Sequence, residues 1–154
     1  GDVFVFVFFG LIAVCVTFYV QAGRVSVDAV LASVAVGALT TNILLVNNYR
    51  DAGTDAKAGK RTLVVRFGKR FAQGQFVLAH AAATVVPMLL ALRGCYSLPA
   101  GLGAALFFAL AGFWQARALC RATGPGELIA LLGRCGAYLA GYAIILAALL
   151  GAGK

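Results

Sequence analysis

The sequence predicts an all-α, polytopic transmembrane helical bundle, and three observations predict it. Hydrophobic residues make up 62% of the 154 and charged ones 12%, with a mean hydropathy of +0.95, far outside the composition of soluble globular domains. The apolar residues gather into five stretches, each near the roughly 20 residues that a helix needs to cross a hydrocarbon core. Lys and Arg concentrate in one connection between two of those stretches, the asymmetry that orients membrane helices.

The first span covers residues 3–20. It has no basic n-region and four further spans follow it, so it reads as a transmembrane helix and not as a signal peptide. Its phenylalanines, Phe4, Phe6, Phe8 and Phe9, are expected to pack or to face lipid; shielding a cation with their ring faces is the less favoured role. The second span, 27–46, runs into a polar segment, 47–70, expected as the principal loop. The third, 71–92, contains Pro87, where a lost backbone hydrogen bond predicts a kink. It also holds His80, the single histidine, expected to be neutral and bonded to a neighbouring helix. The fourth is 98–118. The fifth, 133–152, carries Gly133, Ala137 and Gly141 at four-residue spacing, a pattern that permits close helix approach. Cys15, Cys95, Cys120 and Cys135 form no Cys-x-x-Cys pair and read as small apolar packing residues. With no internal repeat and no low-complexity linker, residues 1–154 form one membrane domain. Gly1 in place of Met leads to the expectation of a start internal to a longer protein.

The 47–70 segment holds Arg50, Lys57, Lys60, Arg61, Arg66, Lys69 and Arg70, and Arg117, Arg121 and Arg134 fall on the same side of a five-span path. The opposite side has Arg24, Arg93 and Lys154. The segment is therefore expected to face the cytoplasm from a multi-pass cell-membrane protein. The net charge of +8 reports this topology, and a nucleic-acid surface is discarded for so apolar a chain.

Within that segment the run Asn47-Asn48-Tyr49-Arg50-Asp51, then Asp55, then Gly59-Lys60-Arg61-Thr62 gathers most of the chain's polar chemistry. Asp51 and Asp55 are four residues apart, so if the second helix continues beyond the membrane both project from one face together with Asn47. Two carboxylates so placed repel unless a cation lies between them. Mg2+ suits the place, since it takes oxygen ligands, is commonly held by one or two carboxylates and completes its shell with water and substrate phosphate. Arg50, Lys60 and Arg61 would face the remaining phosphate charge. A charged helix end that merely fixes topology is the plain alternative. The nucleotide P-loop fails, because counting from Gly53 its second glycine falls on Ala58, and the Gly59-Lys60 pair comes one place late and is followed by Arg61 in place of a hydroxyl residue.

These residues resemble the second aspartate-rich motif of the UbiA superfamily of intramembrane prenyltransferases, and the double-Asn, Arg-Asp form is similar to that of its 1,4-dihydroxy-2-naphthoate polyprenyltransferases in menaquinone synthesis. The resemblance implies that the five spans correspond to the C-terminal part of a nine-helix fold. It implies Mg-dependent transfer of a polyprenyl group from polyprenyl diphosphate to an aromatic acceptor, here with decarboxylation to demethylmenaquinone. Carried over by residue, it makes Asp51 and Asp55 the Mg ligands and catalytic acids. Their catalytic part in that resemblance is to hold Mg as carboxylates, not to donate a proton. It makes Arg50, Lys60 and Arg61 diphosphate-binding, and lines the polar mouth with Asn47 and Asn48. The first aspartate-rich motif of that family, of Asn-x-x-x-Asp type, is absent from the sequence, where Asp2, Asp28 and Glu127 are the other acids. The chain is thus expected to carry half a site and to be inactive alone. The alternatives are a related enzyme with another aromatic acceptor, and a noncatalytic membrane subunit or remnant whose basic segment recruits anionic lipid.

Overall fold

A computed structural model describes residues 1–152. Those residues form five helices, each long and apolar enough to cross a membrane: α1 (Asp2–Ala22), α2 (Val27–Lys57), α3 (Leu63–Leu92), α4 (Leu98–Arg121) and α5 (Pro125–Ala152). Helices α2 to α5 pack as a ring in which α2 meets both α3 and α5, and α1 lies against the outer side of α2.

Short-range chemistry sets the ends. Ser26 accepts a hydrogen bond from the Ala29 N–H, and Thr62 accepts one from that of Val65, satisfying orphan donors at the N-termini of α2 and α3. At the C-terminus of α2, Gly59 takes φ 72° while its N–H reaches the Ala56 carbonyl and the Lys60 N–H reaches that of Asp55. This is a Schellman closure, which needs a residue free to adopt a left-handed conformation.

The 47–70 segment, expected as a loop, is mostly helical. No proline precedes Gly59 and Gly53 is carried within the helix, so α2 continues to Lys57, only residues 58–62 connect, and α3 begins at Leu63. The break in helical dihedrals within α3 falls at Gly68, and Pro87 stays within the helix. Gly68, at φ 83° and ψ 173°, is the non-helical residue inside it, and it sets off a first turn, Leu63–Phe67, whose Val64 is buried with Leu45, Val46 and Tyr49 of α2. Pro87 instead leaves its mark in hydrogen bonding. Its missing N–H orphans the carbonyl four residues earlier, and the Tyr142 hydroxyl of α5 donates to that carbonyl, Ala83 O, at 2.9 Å. The Tyr96 hydroxyl donates to the Pro87 carbonyl at 2.7 Å.

Two apolar clusters fill the ring. One, at the far end, joins Leu39, Val86, Leu90, Phe108, Tyr142 and Leu146. The other, beneath the polar end of α2, joins Leu45, Tyr49, Val64, Phe76, Leu119 and Leu131. Backbones approach closely where glycines face a neighbour. A Cβ on Gly10 would collide with the backbone of Gly37, and one on Gly112 would lie 3.0 Å from the His80 ring. The small-residue row of α5 does not serve this purpose among the described residues, where a Cβ on Gly133 or Gly141 would meet nothing within 4 Å. His80 is buried, but the expected bond to a neighbouring helix is not made, since neither ring nitrogen has a hydrogen-bond partner among the described residues; its neighbours are the rings of Phe76 and Tyr138. Phe4, Phe8 and Phe9 are exposed on α1, the placement that suits contact with lipid. Cys135 is buried, with its thiol against the Gln115 side-chain oxygen.

Candidate diphosphate site

Because α2 stays helical past residue 46, Asn47, Asp51 and Asp55 follow one another a turn apart on one face. Arg50 joins the first two. Its Nε and one terminal nitrogen grip Asp51 as a fork, both at 2.7 Å, and a terminal nitrogen also reaches Asn47 Oδ1 at 2.7 Å. Asp55 is buried, and the Lys60 Nζ meets its Oδ1 at 2.8 Å. The Schellman closure accounts for that pair, since the bond from the Lys60 N–H to the Asp55 carbonyl folds the chain back over the last turn.

The electrostatics follow from these pairs. The Arg50 guanidinium holds the Asp51 carboxyl below the usual carboxylate range, chiefly through their hydrogen bonds, with Lys60 adding to the effect. Asp55 raises Lys60 above the ordinary lysine value, through the hydrogen bond first and charge second. Arg50 and Lys60 thus offset the two aspartates, while Lys57, Arg61, Arg66, Lys69 and Arg70 all stand exposed around them. The net field is positive and would draw in a polyanion.

Of the residues singled out in the sequence, Asn47, Arg50, Asp51, Asp55 and Lys60 come together. Asn48 is half-buried beside them. Arg61 is exposed and makes no ion pair among the described residues. Tyr49 and Lys69, present in the segment but given no site role from the sequence, and Gln73 join that cluster in the structure. Tyr49 is buried, its hydroxyl accepts from Gln73 Nε2 at 3.1 Å, and Lys69 Nζ lies 4.9 Å from its ring centre. The bend at Gly68 brings residues 20 and more positions away against α2, and no periodicity reports such a bend.

As a half-site for Mg2+ the donors fit in kind. They are hard oxygen atoms, two from carboxylates and one from the Asn47 amide, and one or two carboxylates are the usual protein share for this ion. Asp51, with its side chain 35% exposed, is the more open of the two but has both oxygens held by Arg50, and Asp55, at 8%, is turned toward Lys60; each would have to exchange its partner. No group of three or more His, Cys, Asp or Glu side chains is gathered among the described residues, so further ligands would come from water and phosphate.

An apolar hollow of about 520 Å³ opens beside Asn47, walled by Val5 and Phe9 of α1, Thr40 and Leu44 of α2 and Leu132 of α5. Asn47, bonded to Arg50, at its edge and hydrocarbon elsewhere suit an amphiphile with an anionic head.

The sequence profile of the UbiA prenyltransferase family matches residues 1–132. Over 92 residues the chain is 42% identical to a 1,4-dihydroxy-2-naphthoate octaprenyltransferase of Mycobacterium leprae, covering 58% of this chain and 31% of that protein. It is 43% identical over 99 residues to the protein of the same name from Mycobacterium tuberculosis, covering 62% and 33%. It is 44% identical over 69 residues to that of Escherichia coli, covering 45% and 22%. The matched stretches thus span about a third or less of these relatives. No solved structure is significantly similar.

Proposed function

The chain belongs to the UbiA prenyltransferase family, and on that premise we propose that the intact protein transfers a polyprenyl group from its diphosphate to 1,4-dihydroxy-2-naphthoate. The observation that carries the proposal is the single face of α2 on which Asn47, Asp51 and Asp55 stand with Arg50 and Lys60 paired to them, beside an apolar hollow. Relatives named 1,4-dihydroxy-2-naphthoate octaprenyltransferase support this acceptor over other aromatic rings.

In this reading Asp51 and Asp55 hold Mg2+, which when bound neutralises charge on the diphosphate and makes it a better leaving group. As their carboxylates turn to that task, Arg50 and Lys60 are freed from their ion pairs to donate to phosphate oxygens, and Arg61, already free of an ion pair, joins them. Asn47 and Asn48 line the polar mouth and fix the orientation of the head. The allylic carbon–oxygen bond breaks with its electron pair leaving on diphosphate. The ring carbon that bears the carboxylate attacks the resulting allylic cation, a carbon–carbon bond forms, and carbon dioxide departs, leaving its bonding pair to restore the aromatic ring. The charge developing on diphosphate is what the fixed cations stabilise. Residues 47–62 face the cytoplasm in this proposal, as the Lys and Arg distribution requires. The 154 residues alone, with one aspartate-rich motif, bind Mg-diphosphate weakly and do not turn over.

The test is transfer of radiolabelled polyprenyl diphosphate to 1,4-dihydroxy-2-naphthoate in membranes carrying the full-length protein, with and without Mg2+. Mg-dependent prenylated product that Asp51→Asn and Asp55→Asn each abolish is the expected result. Turnover only with a different aromatic acceptor would reassign the substrate. Inactivity with every acceptor would favour a noncatalytic membrane subunit.

A further inference from the structure

A second groove lies between α1, α2 and α3. It is separate from the hollow beside Asn47: Asn42, which lines it, is five residues before Asn47 and so points about 140° away around the same helix. The groove measures about 360 Å³. Three alanines, Ala38, Ala79 and Ala82, give it a shallow floor, and Phe6 of α1 forms a wall. At its polar end stand Asn42 and Gln75 together with Asp2, whose carboxylate accepts from Gln75 Nε2 at 3.4 Å.

Asn42 is 1% exposed. Its Nδ2 donates to the Phe76 carbonyl at 3.1 Å, which leaves Oδ1 as an acceptor with no partner among the described residues. A buried polar atom left unpaired costs free energy comparable to a lost hydrogen bond, so an occupant that brings a donor is favoured here. The neighbouring carboxylate of Asp2 disfavours an anionic head. The alanine floor facing an aromatic wall suits a flat ring, and the groove's remaining surface is apolar.

We propose that this groove binds a prenylated hydroquinone, with one phenolic O–H donating to Asn42 Oδ1, the ring on the alanine floor and the tail lying out along α3 into lipid. The assignment rests on the proposed function, since it is the chemical class of the product, but it names a separate site on the other face of α2.

The test is equilibrium binding of a radiolabelled short-chain prenyl naphthohydroquinone, held reduced, to the full-length protein in nanodiscs. Four proteins are compared: wild type, Asn42→Leu, Ala79→Phe and the Asp51→Asn, Asp55→Asn double variant. The expected result is about tenfold weaker binding with Asn42→Leu, loss with Ala79→Phe, and retention in the double variant. The dimethyl ether of the same ligand, which has no donor, should bind as poorly to wild type as the hydroquinone does to Asn42→Leu. Equal binding of ether and hydroquinone would overturn the proposal and leave a groove for any apolar chain. So would binding unchanged by Ala79→Phe, or binding lost in the double variant. Because the ether comparison uses wild-type protein, misfolding of a variant leaves the test intact. Transferase activity measured on the same samples separates failure of this site from failure of the proposed reaction.

Discussion

Replacing Tyr142 by Phe should destabilise the protein through one atom, and the effect should vanish when Pro87 is also replaced. Pro87 has no N–H, so the Ala83 carbonyl depends on the Tyr142 hydroxyl, 2.9 Å away. Both residues are 0% exposed, so water does not take over when the hydroxyl is removed. A buried acceptor left unpaired costs roughly 1–3 kcal/mol in soluble proteins, whereas interhelical hydrogen bonds within membranes average about 0.6 and reach about 1.7 kcal/mol. Tyr142→Phe keeps the ring and its packing against Phe108, so the expected loss is about 1 kcal/mol, near a fivefold change in the unfolding equilibrium. In a Pro87→Ala background the new N–H supplies the helical bond to Ala83, and the same substitution should cost close to nothing. Reversible unfolding of the four proteins in mixed micelles titrated with denaturing detergent yields the coupling energy directly. An equal cost for Tyr142→Phe in both backgrounds would refute the claim that this hydroxyl repairs the proline's defect.

Gly68→Ala should cost about 1–3 kcal/mol, because φ 83° with ψ 173° is a region open essentially to glycine; it should also lower transferase activity of the full-length protein, as the turn Leu63–Phe67 shifts over α2, and unchanged stability in the same detergent titration would contradict it. Gly10→Ala should separate α1 from α2, as its Cβ would collide with Gly37, and a cysteine crosslink engineered across that contact should form more slowly. At the start of α5 the N–H groups of Thr123 and Gly124 donate to Glu127 and hold its carboxyl below the usual range. Its contribution to stability is present above the ordinary carboxylate pKa and is lost as pH falls through the lowered one, so Glu127→Gln should flatten the acid limb of a stability–pH profile. Lys60→Met, which leaves buried Asp55 without its cation, should destabilise the end of α2 more than Lys57→Met does, read by hydrogen exchange of residues 50–58.

The positions of the five spans were legible because hydrocarbon imposes a length and an apolar composition that sequence reports directly. The same holds for the pairing of Asp51 with Asp55, since a four-residue interval on a helix is a single turn whatever surrounds it. Where α2 ends was misjudged: polar composition suggested a loop from residue 47, but polarity marks the membrane boundary, and the helix itself stops only at the Gly59 turn. Charge likewise disclosed the cations without their partners. That Arg50 holds Asp51, that Lys60 folds back on Asp55 and that Arg61 has no ion pair among the described residues depend on tertiary geometry.

By itself the sequence determined the helical membrane architecture and the chemistry concentrated at the end of α2. The tertiary structure alone decided that the bend sits at Gly68, that Tyr142 repairs the backbone at Pro87, that Lys69 and Gln73 reach Tyr49, and that Asn42 is left with an unpaired oxygen in a groove. The division has a physical cause. Composition and periodicity are local quantities fixed by solvent and helix geometry, whereas each of these contacts joins residues far apart in the chain and exists only once α1, α2, α3 and α5 have packed.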